Sequence, residues 1–469
     1  MYRPTIGLEV HAELKTRTKM FCDSKNDPDE TRPNVNICPV CLAHPGTLPV
    51  INKEAVHHIL RIGAAIGGTS AHFTEFDRKS YFYPDIPKGY QISQYEHPLI
   101  KGGTLAGVQI TRVHLEEDTA RSTHEGDASL VDFNRAGIPL MELVTEPVIH
   151  DAETAGNFAR ELQQLLRTLK AGEANLEKGE MRIEANISVS DKEGVYGTKV
   201  EVKNINSFRS VERAIAYEIK RQTELIESGG KVDQETRGWD ESKQVTFHQR
   251  FKEGSADYRY FPEPDLPKLF INEIPEFAAD VISASLPELP WHRRARYSEL
   301  GLKKEYVEAL TQHEVLLGIF EHVIHESKDG DLITLAANYL LSDLVALMQE
   351  ATSQDIESEA FHTSFLKLMH MIKEGKVSSR GAKDVLKALY LGGGDSEQIA
   401  TEQGLLQIQD MDALGQVVDA VIAAEDKAVG EYRAGKEAAL QYLVGKAMKE
   451  SRGAGNPLQL REIIQKKLS

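Results

Sequence analysis

Carboxylates and cations recur at every second position through residues 180–208, EMRIEANISVSDKEGVYGTKVEVKNINSF. Arg182, Glu184, Asn186 and Ser188 alternate with Met181, Ile183, Ala185, Ile187 and Val189; after a polar turn, Asp191-Lys192-Glu193-Gly194, Lys199, Glu201 and Lys203 alternate with Val200 and Val202. The same chemistry returns in residues 4–16, where Glu9, His11 and Glu13 alternate with Leu8 and Val10, and in residues 108–118, where His114, Glu116 and Asp118 share a period of two. Magnesium takes carboxylate and phosphate oxygens in octahedral geometry, and lysine or arginine beside it holds phosphate charge. Glu9, Glu116 or Glu117, Glu184 and Glu201 are therefore candidate cation ligands, with Lys199, Lys203 and Arg182 for phosphate. His11 suits a softer metal. One such strand alone reads as the wet side of an antiparallel sheet; its repetition on separate strands is what points to a site.

The elements that must position these groups are strands, because successive strand side chains face opposite sides. Residues 180–208 read as a hairpin whose apolar side packs on a core. Strict alternation turns Glu117 away from His114 and Glu116 unless a bulge intervenes. Asn52 is expected to cap a helix that stops near Gly67-Gly68, Asp151 one that runs through Leu169, and a further helix is expected over 211–227. Beyond about Trp291 strand patterns vanish and helical periodicity runs to the end, with a break near 392–410. The expected fold class is α+β: a large, mainly antiparallel-sheet domain with flanking helices over 1–290, then two small all-helical domains, 291–405 and 406–469.

Composition narrows the function classes. No G-x-x-x-x-G-K-[ST] loop, strand-borne G-x-G-x-x-G, G-x-S-x-G elbow or kinase motif set occurs, so any ATP would sit on a sheet carrying acids and metal. A net charge of −17 speaks against a general nucleic-acid coat. Yet residues 427–469 hold nine Lys/Arg against four Glu, a local +5 that leaves −22 on the rest; this is either a solvated helical surface or a patch for a phosphate polymer. No uninterrupted apolar run approaches the roughly 20 residues of a membrane span, and the N-terminus lacks a signal-peptide core. Three cysteines argue against a disulfide framework and for a reducing, cytoplasmic setting. They form C-x15-C-P-V-C, Cys22 to Cys38 and Cys41. Zinc expects four ligands, with His44 or Asp23 conceivable fourths; reduced loop cysteines are the alternative.

Several blocks then carry a family. IGLEVHAEL (6–14), FDRKSYFYPDIPKGYQISQY (76–95), HLEEDTARSTH (114–124), DFNRAGIPLMELVTEP (132–147), TKVEVKNINSF (198–208), QETRGWDE (234–241), DYRYFPEPD (257–265) and the C-terminal EYRAGKEAALQYLVGKAMK (431–449) closely resemble the B subunit of the tRNA-dependent amidotransferase GatCAB. The resemblance covers essentially the whole chain and lacks the inserted domain of the archaeal E-type relative. It implies a cradle domain with a kinase site, then helical and tail domains that grip tRNA. It implies a heterotrimer in which an amidase A subunit releases ammonia from glutamine, a small C subunit wraps the pair, and the B subunit uses ATP and Mg²⁺ to phosphorylate the side-chain carboxylate of misacylated Glu-tRNA(Gln) or Asp-tRNA(Asn). That is a carbon–nitrogen ligase with glutamine as amido donor. The family's metal and nucleotide positions fall on Glu9, His11, Glu116, Glu117, Glu184 and Glu201, extended to Lys79, Arg182, Lys203 and Asn204. Tyr81, Tyr83 and Tyr90 are candidates for stacking on adenine or on the tRNA 3′ end, or for loop packing. Many relatives carry a four-thiol zinc site, whose second position here is Ser24.

A non-catalytic tRNA-binding adaptor of the same complex is the competing reading, carried by the basic tail. A self-sufficient glutamine amidotransferase is not supported: neither an amidase Ser-Lys region nor a catalytic cysteine setting is present, which itself points to a partner subunit.

Overall fold

The alternation at the N-terminus builds the middle strand of a sheet. In a computed structural model that describes residues 2–192, 194–251, 258–352, 355–407, 411–451 and 455–468, Ile6, Leu8, Val10 and Ala12 are at most 1% exposed on one face of β1 (Arg3–Glu13). Burial of each large side chain there stabilises by about 1.5–3 kcal/mol. Glu193 of the expected turn, Asp257 of the family block and Arg452 of the basic tail lie outside the described residues.

The chain divides into two units, Met1–Pro290 and Trp291–Ser469. In the first, β1 is followed by β2 (Asp77–Ser80), β3 (Tyr90–Ser93), β4 (Val108–Glu117), β5 (Pro139–Thr145), β6 (Met181–Ser190), β7 (Val200–Ile205), β8 (Glu235–Asp240), β9 (Val245–Phe251) and β10 (Phe261–Pro262). Their order in the sheet is β9-β8-β7-β6-β1-β5-β4-β3-β2-β10, antiparallel except between β7 and β8. The expected hairpin is β6–β7. Its register is broken opposite Glu184, where Lys203 and Asn204 bulge and Asn204 takes a left-handed φ of 63°.

Helices cover the apolar face: α1 (Lys53–Ala65), α2 (Ala152–Thr168) and α3 (Phe208–Glu227). The caps follow the sequence, with Asn52 accepting from Glu54 N and Ala55 N, and Asp151 from Thr154 N. Helix α3 begins earlier than 211 because Ser207 caps it through Ser210 N. It lays Val211, Ala214 and Ile215 under β6, β7 and β9, which leaves the other face of the sheet for the charged groups.

The second unit holds two hydrophobic clusters. One, Tyr297 to Ala400, is built by helices including α4 (Glu314–Glu326), α5 (Gly330–Tyr339), α6 (Glu359–Lys373) and α7 (Ser379–Gly392). The other, Leu414 to Leu468, joins α8 (Met411–Ala424), α9 (Glu437–Glu450) and α10 (Pro457–Leu468). Gly330–Glu350 is long and apolar enough, by length and composition, to cross a membrane. Asp331 and Asp343 interrupt it, so it contains no unbroken apolar run of that length, as expected. Its apolarity has a local cause: Leu332, Ile333, Ala336, Ala337, Leu340 and Leu344 are buried in the first cluster.

Candidate functional site

Register assembles the polar face row by row. Glu9 of β1 lies opposite Glu184 of β6, and His11 lies opposite Arg182 on one side and Glu142 of β5 on the other. Glu142 in turn faces His114 of β4, and Glu116 of β4 faces Ser93 of β3. The result is a continuous line, His11–Glu142–His114, in which one Glu142 oxygen is 3.4 Å from both imidazole Nε2 atoms. Glu9, His11 and Glu142 form one group of atoms within 4.8 Å of each other, and His114, Glu116 and Glu142 form a second that shares Glu142.

Cations bracket this line. On one side Lys203 Nζ donates to Glu184 Oε2 at 2.7 Å and lies 3.9 Å from Glu201, whose other oxygen accepts from Thr236 at 2.8 Å. On the other, Lys79 Nζ is 3.6 Å from Glu116 Oε2. Gln91 donates to Glu116 Oε1 and takes the Tyr81 hydroxyl at 2.8 Å, so Tyr81 reaches the cluster through an amide. The bulge after β7's third residue is what aims Lys203 at Glu184.

Charge states follow from this packing. Burial opposes ionisation of both His11 and Glu142, and their mutual attraction overrides it. The proton on His11 is held up to about 9, with Glu116 and Glu9 contributing, while the two imidazoles keep Glu142 well below the usual carboxylate range. Burial and the Glu142 charge push Glu9 up. Lys79 and Lys203 keep their protons more tightly than usual: burial works against them, but Glu116 acts on the first, and Glu184 and Glu201 on the second.

Several expected residues stand apart. Alternation turns Glu117 to the opposite face, where it takes Lys88 and the backbone N–H of Ile92 at 2.9 Å; no bulge interrupts β4 at this point. Asn204 is the extra residue of its bulge and is exposed. Arg182 bends to Asp118, 2.9 Å away, where Arg135 also lies at 3.4 Å. Tyr90 has its ring face covered by the Arg78 guanidinium at 4.3 Å, whereas Tyr83 is 59% exposed.

Glu142 was not singled out from sequence, and His114 only as sharing a face with Glu116. The available signal was a lone carboxylate inside the apolar run PLMELVT, of the kind that is almost never buried without a partner.

The residues fit a divalent cation in part. Glu9, Glu116 and Glu142 offer oxygens from three strands, and Glu116 Oε2 is buried without a hydrogen bond. His11 fits only after giving up the proton it holds to about 9. On the reverse side Cys22, Cys38 and Cys41 bring their sulfurs within 4.8 Å of one another, with the Ser24 hydroxyl 3.8 Å from Cys41 Sγ. Hydrogen bonding from Cys22 holds the Cys41 thiol down to about 4, against burial and with help from Lys19. A thiolate of this kind suits soft-metal coordination. Titrating the purified chain with Zn²⁺ is therefore expected to release protons and bind one equivalent, and Cys41→Ser to abolish it; a wild-type chain that takes up no zinc would refute the expectation.

Comparison with known proteins adds an independent line. A family model described as the GatB/GatE catalytic domain matches residues 4–275, and one described as the GatB domain matches 318–468. The chain is 41% identical over 483 residues to the B subunit of the aspartyl/glutamyl-tRNA(Asn/Gln) amidotransferase of Carboxydothermus hydrogenoformans, covering 100% of this chain and 99% of the relative. The protein of the same name from Thermus thermophilus is 43% identical over 468 residues, covering 99% and 98%. That of Thermomicrobium roseum is 43% identical over 481 residues, covering 100% and 99%.

Proposed function

The chain belongs to the family of aspartyl/glutamyl-tRNA amidotransferase B subunits, and from that premise we propose that its polar sheet face is where ATP activates the side-chain carboxylate of misacylated tRNA. Amidation of misacylated tRNA is the family's role. The observation that carries the assignment to this face is the Glu9–His11–Glu142–His114–Glu116 cluster, drawn from three strands and bracketed by Lys79 and Lys203.

The chemistry asks for this combination. A carboxylate is a poor electrophile because oxide is a poor leaving group. Attack of its oxygen on the terminal phosphorus of ATP expels ADP and makes an acyl phosphate. Ammonia then adds to the carbonyl carbon, phosphate leaves, and a proton is lost. Both steps are dominated by charge on phosphoryl oxygens. Lys203 and Lys79, held protonated at opposite ends of the cluster, orient those oxygens. Glu142 fixes both imidazoles. Mg²⁺ held by Glu9, Glu116 and Glu142, with Glu184 and Glu201 beside them, would supply the remaining positive charge. The nitrogen comes from a partner amidase A subunit by way of a heterotrimer completed by a small C subunit, and the work is done in the cytoplasm without a membrane.

The test is tRNA-dependent release of phosphate from ATP by the chain with its partner subunits, on Glu-tRNA(Gln) and Asp-tRNA(Asn) separately. Lys203→Met is expected to lower it about 100-fold; unchanged release in that variant removes the assignment.

The basic tail favours a second role, tRNA capture. Lys436, Lys446 and Lys467 are tied to Glu431, Glu425 and Asp419, whereas Lys427, Arg433, Lys449, Arg461 and Lys466 form no ion pair among the described residues. Removing residues 410–469 is expected to weaken tRNA binding about tenfold or more and flatten its salt dependence, with ATP hydrolysis retained. Loss of hydrolysis as well would favour the adaptor reading over the kinase.

A further inference from the structure

Behind the strand that carries Glu116 lies a pair of thiols that the proposed reaction does not use. Cys38 and Cys41 share a turn closed by the Leu42 N–H on the Cys38 carbonyl at 3.0 Å, and their sulfurs are 3.9 Å apart. A disulfide holds its sulfurs about 2.0 Å apart, so the pair stands about 2 Å short of one, a distance that side-chain rotation covers. Cys38 is half-buried on the wall of an open hollow of 740 Å³. Cys41 lies deeper, 9% exposed, among the residues around a second hollow that Lys88 and Glu117 also line.

The surroundings separate the two roles that thiol oxidation needs, one sulfur that meets the oxidant and one that waits beside it. Cys41 Sγ accepts the Cys38 backbone N–H at 3.1 Å. The buried Lys19 packs beside it: both side chains come within 4 Å of the place a Cβ on Gly137 would take. A backbone donor and a neighbouring cation are the setting in which a cysteine sulfur acts as a nucleophile. Nor do the sulfurs form a closed metal cage. Zinc asks for four ligands, and the nearest fourth group is a neutral one, the Ser24 hydroxyl 3.8 Å from Cys41 Sγ. In a reducing compartment a disulfide is transient and reports an oxidant instead of holding the fold.

We propose that Cys38 and Cys41 are a reversible redox site that hydrogen peroxide or another small hydroperoxide oxidises to a disulfide, with Cys22 as the thiol left over. The Cys38 sulfur attacks one peroxide oxygen, the O–O bond breaks, and the second oxygen leaves as water with the thiol proton. The Cys41 sulfur then attacks the sulfur of the Cys38 sulfenic acid. The S–S bond forms, the S–O bond breaks, and the hydroxyl leaves as water with the Cys41 proton. Two thiols have given up two electrons and two protons, and one peroxide has become two waters. A dithiol reductant reverses the change by exchange. Zinc on these sulfurs and the disulfide exclude each other.

The test is peroxide treatment of the purified chain, with a chelator present to keep metal off the sulfurs, followed by alkylation and tryptic mapping. Cys38 and Cys41 fall together in residues 26–53 and Cys22 in residues 20–25. The 26–53 peptide is expected to lose two hydrogens and to refuse alkylation until dithiothreitol is added, while the 20–25 peptide alkylates throughout. Bridging should be at least about tenfold slower in denaturant, where the two sulfurs are no longer held together. In Cys41→Ser, Cys38 should stop at the sulfenic acid and be trapped by dimedone. Full alkylation of both peptides after peroxide, a bridge that includes Cys22 or joins two chains, or bridging as fast in denaturant as in the native chain overturns the proposal. The wild-type map decides the matter even if Cys41→Ser does not fold.

Discussion

Glutamine in place of Glu142 is expected to lower amidation of misacylated tRNA by at least about 10²–10³-fold, the range seen when one preorganised charge is taken from a reacting centre. Glu142 belongs to both candidate ligand groups and is the bridge between His11 and His114. The amide keeps the shape but loses the charge that holds the His11 proton up to about 9. The variant therefore separates a positioning role from a packing role by its pH behaviour. His11 has a folded value raised above the ordinary 6.5, so its contribution to stability is complete below about 6.5 and fades as pH rises through about 9. In Glu142→Gln that dependence should shrink, and the His11 ring resonances should titrate well below their wild-type midpoint. Wild-type turnover in a variant whose His11 titration has moved would dissociate the cluster from the reaction. An unmoved titration would refute the ion pair itself.

What could be read in the sequence was whatever depends on neighbours two to four residues away. Alternation placed Glu9, His11, Glu184 and Glu201 on one face and turned Glu117 to the other, and the structure places them so. Caps at Asn52 and Asp151 were legible because the cap bond spans only two or three residues. Glu142 was not singled out because β5 is buried on both faces: Leu140, Met141 and Leu143 surround it, and the contrast between apolar and polar positions that reveals a site on β6 is absent. Asn204 lies off the alternating row for a different reason, since a bulge shifts the period by one and nothing in NINSF announces it. The pairing of Arg182 with Asp118 joins positions 64 apart in the chain, and register across β1 and β5, not local pattern, brings them together.

That distant pairing yields the largest expected loss of stability. Asp118 is 4% exposed and holds Arg182 at 2.9 Å and Arg135 at 3.4 Å, with the Thr119 N–H at 2.8 Å. Removing one partner of a buried ion pair costs about 3–5 kcal/mol because the other charge is stranded, and Asp118→Ala should show a loss of that order. The size should depend on pH through Glu13. Burial first, then the Asp118 charge, raises the Glu13 carboxyl to about 7, against the pull of Arg135 and Arg182. A raised acid contributes stability that is complete below its unfolded value near 4.5 and is lost as pH rises through about 7. Asp118 itself, held low by the two guanidiniums against its burial, contributes in the opposite sense, its share lost only as pH falls below the ordinary carboxylate range. Without Asp118 the repulsion on Glu13 disappears and both guanidiniums remain. Glu13 then ionises at lower pH and replaces part of the missing charge. The loss in Asp118→Ala is therefore expected to be larger at pH 5 than at pH 8, and a further Glu13→Gln change should abolish the difference. Chemical unfolding followed by Trp239, which is buried in the sheet unit, in a Trp291→Phe background that silences the chain's other tryptophan, measures it directly. A loss that is equal at the two pH values, or greater at pH 8, would show that Glu13 does not sense Asp118.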